Sequence, residues 1–353
     1  MRKRWWLLIP ILLIVLYFLG PSPSTPVYNR AMPAMPSEPA ALEKYISDQE
    51  SHHHIKPDNE ARIVWADSTR RKTPYAIVYL HGFSASQGEG IPLHREIASK
   101  FGCNLYLPRL AEHGLDTVDA MVGLTADNYW ESARDALAVG SRLGDKVILM
   151  GTSTGGTFAL QLAATYPDSV AALVLLSPNI AINDPSAWLL NDHWGLQLAH
   201  MVTGSNYIVS KEDFGPQWRQ YWYPKYRSEA VVALEELLET TMNKKTFAAV
   251  TQPVGMFYYY KDSVHQDSTV KVSASLAMFD QLGTPAAMKY KQAVPEAGTH
   301  VISSSIRSHD VAGVEKGVVH FLTSIVHLPQ VDSSKVATRS INISGSSYAS
   351  NRQ

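Results

Sequence analysis

The sequence predicts an α/β architecture, a mostly parallel sheet flanked by helices, with one helical insertion. Three observations carry this reading. Short apolar runs alternate with segments of helical period from about residue 61 to residue 328. The run Lys146 to Met150 (KVILM) is continuously apolar, as a strand buried on both faces must be. The long stretch between Ser177 and Gln252 loses the strand rhythm and is rich in Trp and Tyr, and a segment of that size between two strands is a subdomain rather than a loop.

The elements follow in order. Ala61 to Ala66 (ARIVWA), Tyr75 to Leu80 (YAIVYL) and Asn104 to Leu107 are short β-branched or aromatic runs and read as strands. Asp127 to Leu143 places Tyr129, Trp130, Ala133, Ala136, Leu137 and Gly140 at helical spacing. After the KVILM strand, Thr157 to Tyr166 reads as a helix and Ala171 to Leu176 as the next strand. Val254 to Tyr260 and Met288 to Val294 are later strands, and Val311, Val314, Val318, Leu322 and Ile325 mark a closing amphipathic helix. Repeated strand–helix alternation of this kind builds a parallel sheet covered on both faces. The domain division is an N-terminal segment 1–20, a linker and lead-in 21–58, a main domain 59–328 carrying the insertion 178–252, and a disordered Ser-rich tail 329–353.

Charge and composition narrow the function. With 31 Lys+Arg against 32 Asp+Glu the net charge is −1, which gives no field suited to a polyanion and argues against nucleic acid as a partner. Hydrophobic content of 45% against 18% charged is enough to build a core. The single cysteine, Cys103, excludes an internal disulfide and a Cys-based zinc site, and reads as a small packed residue. His52-His53-His54 has no acidic or Cys partner at ligand spacing, so no metal and no cofactor is assigned.

The N-terminus reads as an address. Met-Arg-Lys-Arg precedes an uncharged run from Trp5 to Gly20. Basic residues stay on the cytoplasmic side, so the rest of the chain is expected to be exported to the cell envelope. Prolines flank the small residues after Leu19 and make a poor cleavage site, which favours an uncleaved signal anchor holding the protein at the membrane. A cleaved signal peptide, and so a secreted enzyme, is the alternative.

The chemistry gathers at strand ends. Gly151-Thr152-Ser153-Thr154-Gly155 is a G-x-S-x-G turn between the KVILM strand and a helix. Such a turn exposes the serine oxygen at the carboxyl edge of the sheet, and the rival reading is an ordinary Gly-rich phosphate-binding turn. Leu80-His81-Gly82-Phe83 ends the YAIVYL strand. The backbone N–H of Phe83, with that of Thr154, can stabilise the oxyanion of a tetrahedral intermediate, while the His81 side chain reads as structural. A serine needs a base. His300, in Gly298-Thr299-His300-Val301 after the last strand, is placed for this, with His309 and His265 as rivals. An acid must orient the imidazole. Asp262 follows the strand Val254 to Tyr260 directly and is the first candidate. Asp267 is the second, with helix capping as its other reading.

Taken together, the markers HGF (81–83), PRLAEHG (108–114), GTSTGG (151–156), YKD (260–262) and GTHV (298–301) resemble the α/β-hydrolase superfamily, in particular the branch of monoglyceride lipases, carboxylesterases and serine-aminopeptidase-like proteins. The resemblance covers roughly residues 61–328. It implies a catalytic triad of Ser153, Asp262 and His300 in that chain order, an oxyanion hole at Phe83 and Thr154, and a lid between sheet strands six and seven, where the Trp-rich insertion falls. That branch often carries Gly-His-Gly where this chain has Glu112-His113-Gly114, and Met or Gln where it has Thr154. The implied activity is hydrolysis of a small ester with an apolar acyl group. Acyl transfer or peptide cleavage on the same triad, or a non-catalytic envelope module, are the alternatives.

Overall fold

The computed structural model describes residues 8–331. In chain order its strands are β1 (Arg62–Val64), β2 (Thr73–Leu80), β3 (Asn104–Leu107), β4 (Gly144–Thr152), β5 (Val170–Leu176), β6 (Tyr207–Val209), β7 (Lys225–Arg227), β8 (Val254–Tyr258) and β9 (Lys289–Ala293). Its helices are α1 (Leu8–Phe18), α2 (Pro39–Glu50), α3 (Leu93–Phe101), α4 (Ala126–Leu143), α5 (Thr154–Thr165), α6 (Gly195–Thr203), α7 (Pro216–Tyr221), α8 (Glu229–Thr241), α9 (Lys244–Ala249), α10 (Val272–Gln281) and α11 (Val311–Ser324). Seven strands form the main sheet in the order β1-β3-β2-β4-β5-β8-β9. All pairs are parallel except β1 with β3.

The strand pleat divides the core into two layers. Ala76, Val78 and Leu80 of β2 and Val147 and Leu149 of β4 face α4 and α5, where Tyr129, Trp130 and Phe158 are buried. Ile77, Tyr79, Ile148 and Met150 point to the other face, against Leu93 and Ile97 of α3 and Val318 and Phe321 of α11. A strand with both its faces covered has no polar side to alternate with, which is why KVILM reads as one apolar run. A capping box starts α4: the Thr125 hydroxyl accepts from the Asn128 N–H while the Asn128 side chain accepts from the Thr125 N–H.

The insertion between β5 and β8 is not purely helical. It holds α6, α7, α8 and α9 together with an antiparallel pair, Tyr207–Val209 against Lys225–Arg227. Counted along this chain it lies between the fifth and sixth strands of a seven-stranded sheet, not between a sixth and a seventh.

The N-terminal region departs from expectation. Among the described residues no helix is long and apolar enough to cross a membrane, so the expected transmembrane anchor is not supported. The described part of α1 has 11 residues, roughly 16 Å, against a hydrocarbon core of about 30 Å. The basic start and the Trp5–Trp6 pair lie outside the described residues. The chain leaving α1 is bound to the insertion instead: the Trp194 N–H donates to Pro21 O at 2.8 Å and its indole N–H to Leu16 O at 3.0 Å. Part of the expected linker is also built in. Helix α2 buries Leu42 and Ile46, and Glu50 receives the Arg109 guanidinium through both carboxylate oxygens. Of the expected disordered tail, residues 332–353 lie outside the described residues.

Candidate active site

The turn between β4 and α5 is built for close approach. Ser153 adopts φ 54° and ψ −119°, a left-handed conformation that a non-glycine residue holds only when its surroundings impose it. They do so here. The Ser153 N–H donates to Leu176 O of β5 at 2.9 Å, and Ser153 O accepts from the Gly156 and Asn179 N–H groups at 2.8 and 3.0 Å. Gly155 lets α5 press on the end of β2, since a Cβ there would lie 1.8 Å from Leu80 O; one at Gly151 would lie 2.3 Å from Gly155 O. These two glycines are therefore steric requirements of the turn. The Ser153 hydroxyl makes no hydrogen bond among the described residues.

The acid and the base come from the loops after β8 and β9. Asp267 Oδ2 accepts a hydrogen bond from His300 Nδ1 at 2.6 Å. The Asp267 side chain is fully buried and that of His300 is 11% exposed. Asp267 Oδ1 accepts from the Thr269 and Val270 N–H groups at 2.8 and 3.1 Å. One oxygen of this carboxylate thus closes a turn and the other meets the imidazole, while the expected capping of the next helix is not made: α10 starts after Lys271 with no side-chain cap. His300 Nε2 is buried with no partner, and His300 lines the same cavity as Ser153.

Asp262, the first candidate from the sequence, is not at this site. After β8 the chain leaves the sheet edge in a tight hairpin whose tip Asp262 closes, accepting from the Val264 and His265 N–H groups, both at 2.8 Å. The hairpin then doubles back, bridging Tyr260 to Gln266, until the Asp267 N–H donates to Tyr259 O at 3.2 Å. The excursion returns residue 267, not residue 262, to the carboxyl edge. The missed signal was the turn itself, an Asp whose carboxylate binds the N–H groups two and three residues on. Of the rival histidines, His265 pairs with Asp262 on the surface and His309 packs against Gly298. Neither lines the cavity.

The loop after β2 carries the expected oxyanion donor. Phe83 lines the cavity, and among the described residues its N–H has no acceptor. Thr154 is the first residue of α5, so its N–H has no intrahelical acceptor either. Two buried histidines hold this loop. His81 Nε2 accepts from the Leu110 N–H at 3.1 Å, which bears out its structural reading. His113 Nε2 accepts from the Ser84 N–H at 3.1 Å, a role for Glu112-His113-Gly114 that the sequence alone left open. Burial holds His81 down to about 4, so it is neutral at pH 7.

One cavity residue was missed altogether. Glu89, 2% exposed, lines the cavity with Ser153. Its Oε2 accepts from the Gly82 N–H at 2.6 Å and its carboxyl touches Tyr79 Oη at 3.4 Å. Burial pushes Glu89 up to about 7, against the lowering effects of the Gly82 N–H, His300, Tyr79 and Arg307. Burial also pulls His300 down, but the charge and hydrogen bond of Asp267, aided by Glu89 and opposed by Arg307, leave its pKa above the ordinary value. A partly buried imidazole with one nitrogen held by a carboxylate and the other free is suited to take a proton from a neighbouring hydroxyl.

The cavity has a volume of about 360 Å³. The insertion supplies Trp218, Trp222, Tyr223 and Tyr226 to it, whereas Trp188 and Trp194 are exposed and take no part. Trp218 and Trp222 also pack with Ala85 and Val301, so the same rings seat the insertion on the main domain and form the cavity wall. Ile182, Ile208 and Val231 are shared with a second chamber of about 260 Å³, lined mostly by apolar groups of the insertion. Among the described residues no group of three or more His, Cys, Asp or Glu could hold a metal ion.

Comparison with known proteins places this geometry. The sequence profile of the alpha/beta hydrolase fold matches residues 75–288. No curated protein matches the chain. Among solved structures, the fold is similar to that reported for the metagenome-derived lipolytic enzymes LipS and LipT, with 17% identity and a TM-score of 0.61 over 77% of this chain and 100% of the other. It is similar to the monoacylglycerol lipase of Paleococcus ferrophilus, with 16% identity and a TM-score of 0.53 over 75% and 98% of the two chains. It is also similar to Est1E of Butyrivibrio proteoclasticus with bound ferulic acid, with 19% identity and a TM-score of 0.51 over 76% and 95%. With its parallel sheet, its strained serine turn after β4 and a profile match over more than half its length, the chain belongs to the alpha/beta hydrolase family.

Proposed function

We propose that this protein is a serine hydrolase that cleaves carboxylic esters through an acyl-enzyme on Ser153. One observation carries the reading: the cavity that holds Ser153 also holds His300, whose Nε2 is free and whose Nδ1 is bound by buried Asp267. His300 takes the hydroxyl proton as Ser153 Oγ attacks the ester carbonyl. The Phe83 and Thr154 N–H groups receive the oxyanion, each worth roughly 3 kcal/mol in such sites. His300 then gives its proton to the departing alkoxide, the alcohol leaves, and water repeats the sequence on the acyl-enzyme to release the carboxylic acid and restore Ser153.

Two features support an ester with an apolar acyl chain. The wall formed by Ile182, Ile208, Val231 and Leu234 continues into the second, apolar chamber, and such a wall favours hydrocarbon over charge. The lipolytic enzymes and the monoacylglycerol lipase of similar fold make esters the first class to test. The same reading keeps an exported address, on the basic start ahead of the apolar N-terminal run.

The test is labelling with a fluorophosphonate followed by a nitrophenyl-ester series of increasing acyl length. Labelling is expected at Ser153 and lost in Ser153→Ala and His300→Ala, with kcat/KM rising from acetyl toward medium chains. Labelling at another residue, or amide turnover exceeding ester turnover, overturns the assignment.

A further inference from the structure

We propose that Glu89 is a positioning residue of the Ser153 site, holding the His81–Gly82 peptide next to the Phe83 oxyanion donor and setting the charge beside His300. The inference rests on the serine-hydrolase reading above and extends it to a residue outside the triad and the oxyanion pair.

The geometry ties Glu89 to all three working loops. Its carboxylate accepts the Gly82 N–H at 2.6 Å. Glycine has no side chain to restrain its torsions, so an anchor on this amide is what steadies the next one, the Phe83 N–H. A Cβ placed on Gly82 would lie 2.8 Å from Glu89 Oε1 and 3.1 Å from Ser153 Cβ, so the carboxyl group and the serine side chain flank the same glycine. The main chain of Glu89 is fastened to the His300 loop, its carbonyl accepting from the Ser303 hydroxyl at 3.2 Å. Beside it, the Ser305 N–H donates to Ile91 O at 3.1 Å. Oε1 accepts no hydrogen bond among the described residues, and Glu89 lines the cavity.

A residue needed only as an acceptor would not be a buried carboxyl group, because burying a charge without a full set of partners is costly. The groups that face it are Tyr79 from β2, Tyr129 from α4, His300 from the loop after β9, and Arg307 ahead of α11. When ionised, Glu89 stabilises the imidazolium form of His300, and Arg307 opposes this. Because Glu89 itself titrates near neutrality, the low-pH limb of activity belongs to the Glu89–His300 pair rather than to either group.

Two variants separate these contributions. Glu89→Gln keeps an acceptor for the Gly82 N–H and removes the charge. Glu89→Leu removes both. The readout is the pH dependence of fluorophosphonate labelling at Ser153 and of nitrophenyl-ester hydrolysis by the full chain. For Glu89→Gln the acid limb is expected to move to lower pH by about half a unit or more, because the charge favouring imidazolium is gone. For Glu89→Leu labelling is expected to slow by about tenfold or more, with the loss in kcat rather than KM. A Gln variant with the wild-type limb, or a folded Leu variant that labels at the wild-type rate, overturns the proposal. If the Leu variant does not fold, the limb of the Gln variant decides. Wild-type protein that neither labels nor turns over esters sinks the hydrolase reading itself, which is a different outcome from a labelled wild type with indifferent variants.

Discussion

Asp262 and Asp267 each bind the Nδ1 of a histidine, at 2.9 Å and 2.6 Å, within one short stretch of chain. The chemistry of the two pairs is the same and the surroundings are opposite. Asp262 and His265 are 51% and 64% exposed, while Asp267 and His300 are 0% and 11% exposed. In the exposed pair, the backbone N–H of His265, its ring and the Val264 N–H together lower Asp262 to about 2. This carboxylate serves the turn. In the buried pair one oxygen serves the turn and the other serves the imidazole, in a place where water does not screen the charge. An Asp–His contact therefore identifies an orienting acid only when the free nitrogen of the imidazole faces a cavity with a nucleophile in it.

The largest expected effect falls on the buried pair. Asp267→Asn should lower kcat by about 10⁴-fold with the fold intact, since loss of the orienting carboxylate leaves the imidazole in the wrong tautomer. Measurement of kcat with a nitrophenyl ester checks this, and a loss under tenfold would return Asp262 to contention. Next comes pH. Because Asp267 and Glu89 hold His300 above its ordinary value, wild-type activity should fall as pH drops through the titration of the Glu89–His300 pair. In Asp267→Asn, burial acts without its opposing charge, so whatever activity remains should persist to lower pH. A residual acid limb that stays in place would mean that another group sets it.

Smaller effects are expected outside the pair. His113→Ala frees the Ser84 N–H and loosens the loop that carries Phe83. We expect a loss in kcat of about tenfold with KM little changed, read by steady-state kinetics on the same ester. Asp262→Ala should leave kcat within about threefold and lower Tm by only a few degrees, because it opens an exposed turn. His265→Ala should be the mildest, with Tm within about 2 °C of wild type by calorimetry, as exposed ion pairs contribute little. If Asp262→Ala proved as damaging as Asp267→Asn, the contrast between the two regions would fail.

The parts legible in the sequence were those whose requirements are local. The KVILM strand, the glycines around Ser153 and the helix after it each follow from the pleat or from steric limits within a few residues. Ser153, Phe83 and His300 come to one cavity as the sequence placed them, and Asp262 does not. Asp262 directly follows the strand in sequence, but the bridge from Tyr260 to Gln266 turns the chain back and returns residue 267 to the sheet edge. The apolar N-terminal run gave a membrane span by composition, yet within the described residues α1 is too short for one and its exit is bound to Trp194.

By itself the sequence determined the alternating strands and helices, the sharp serine turn and the strand-end loops, because apolar period and glycine geometry act over a few residues. Only the tertiary structure decided which carboxylate meets His300, that Glu89 shares the cavity of Ser153, and which aromatic rings of the insertion face it. Those outcomes depend on how far each loop travels before it packs, and that distance is set by contacts between residues far apart in the chain.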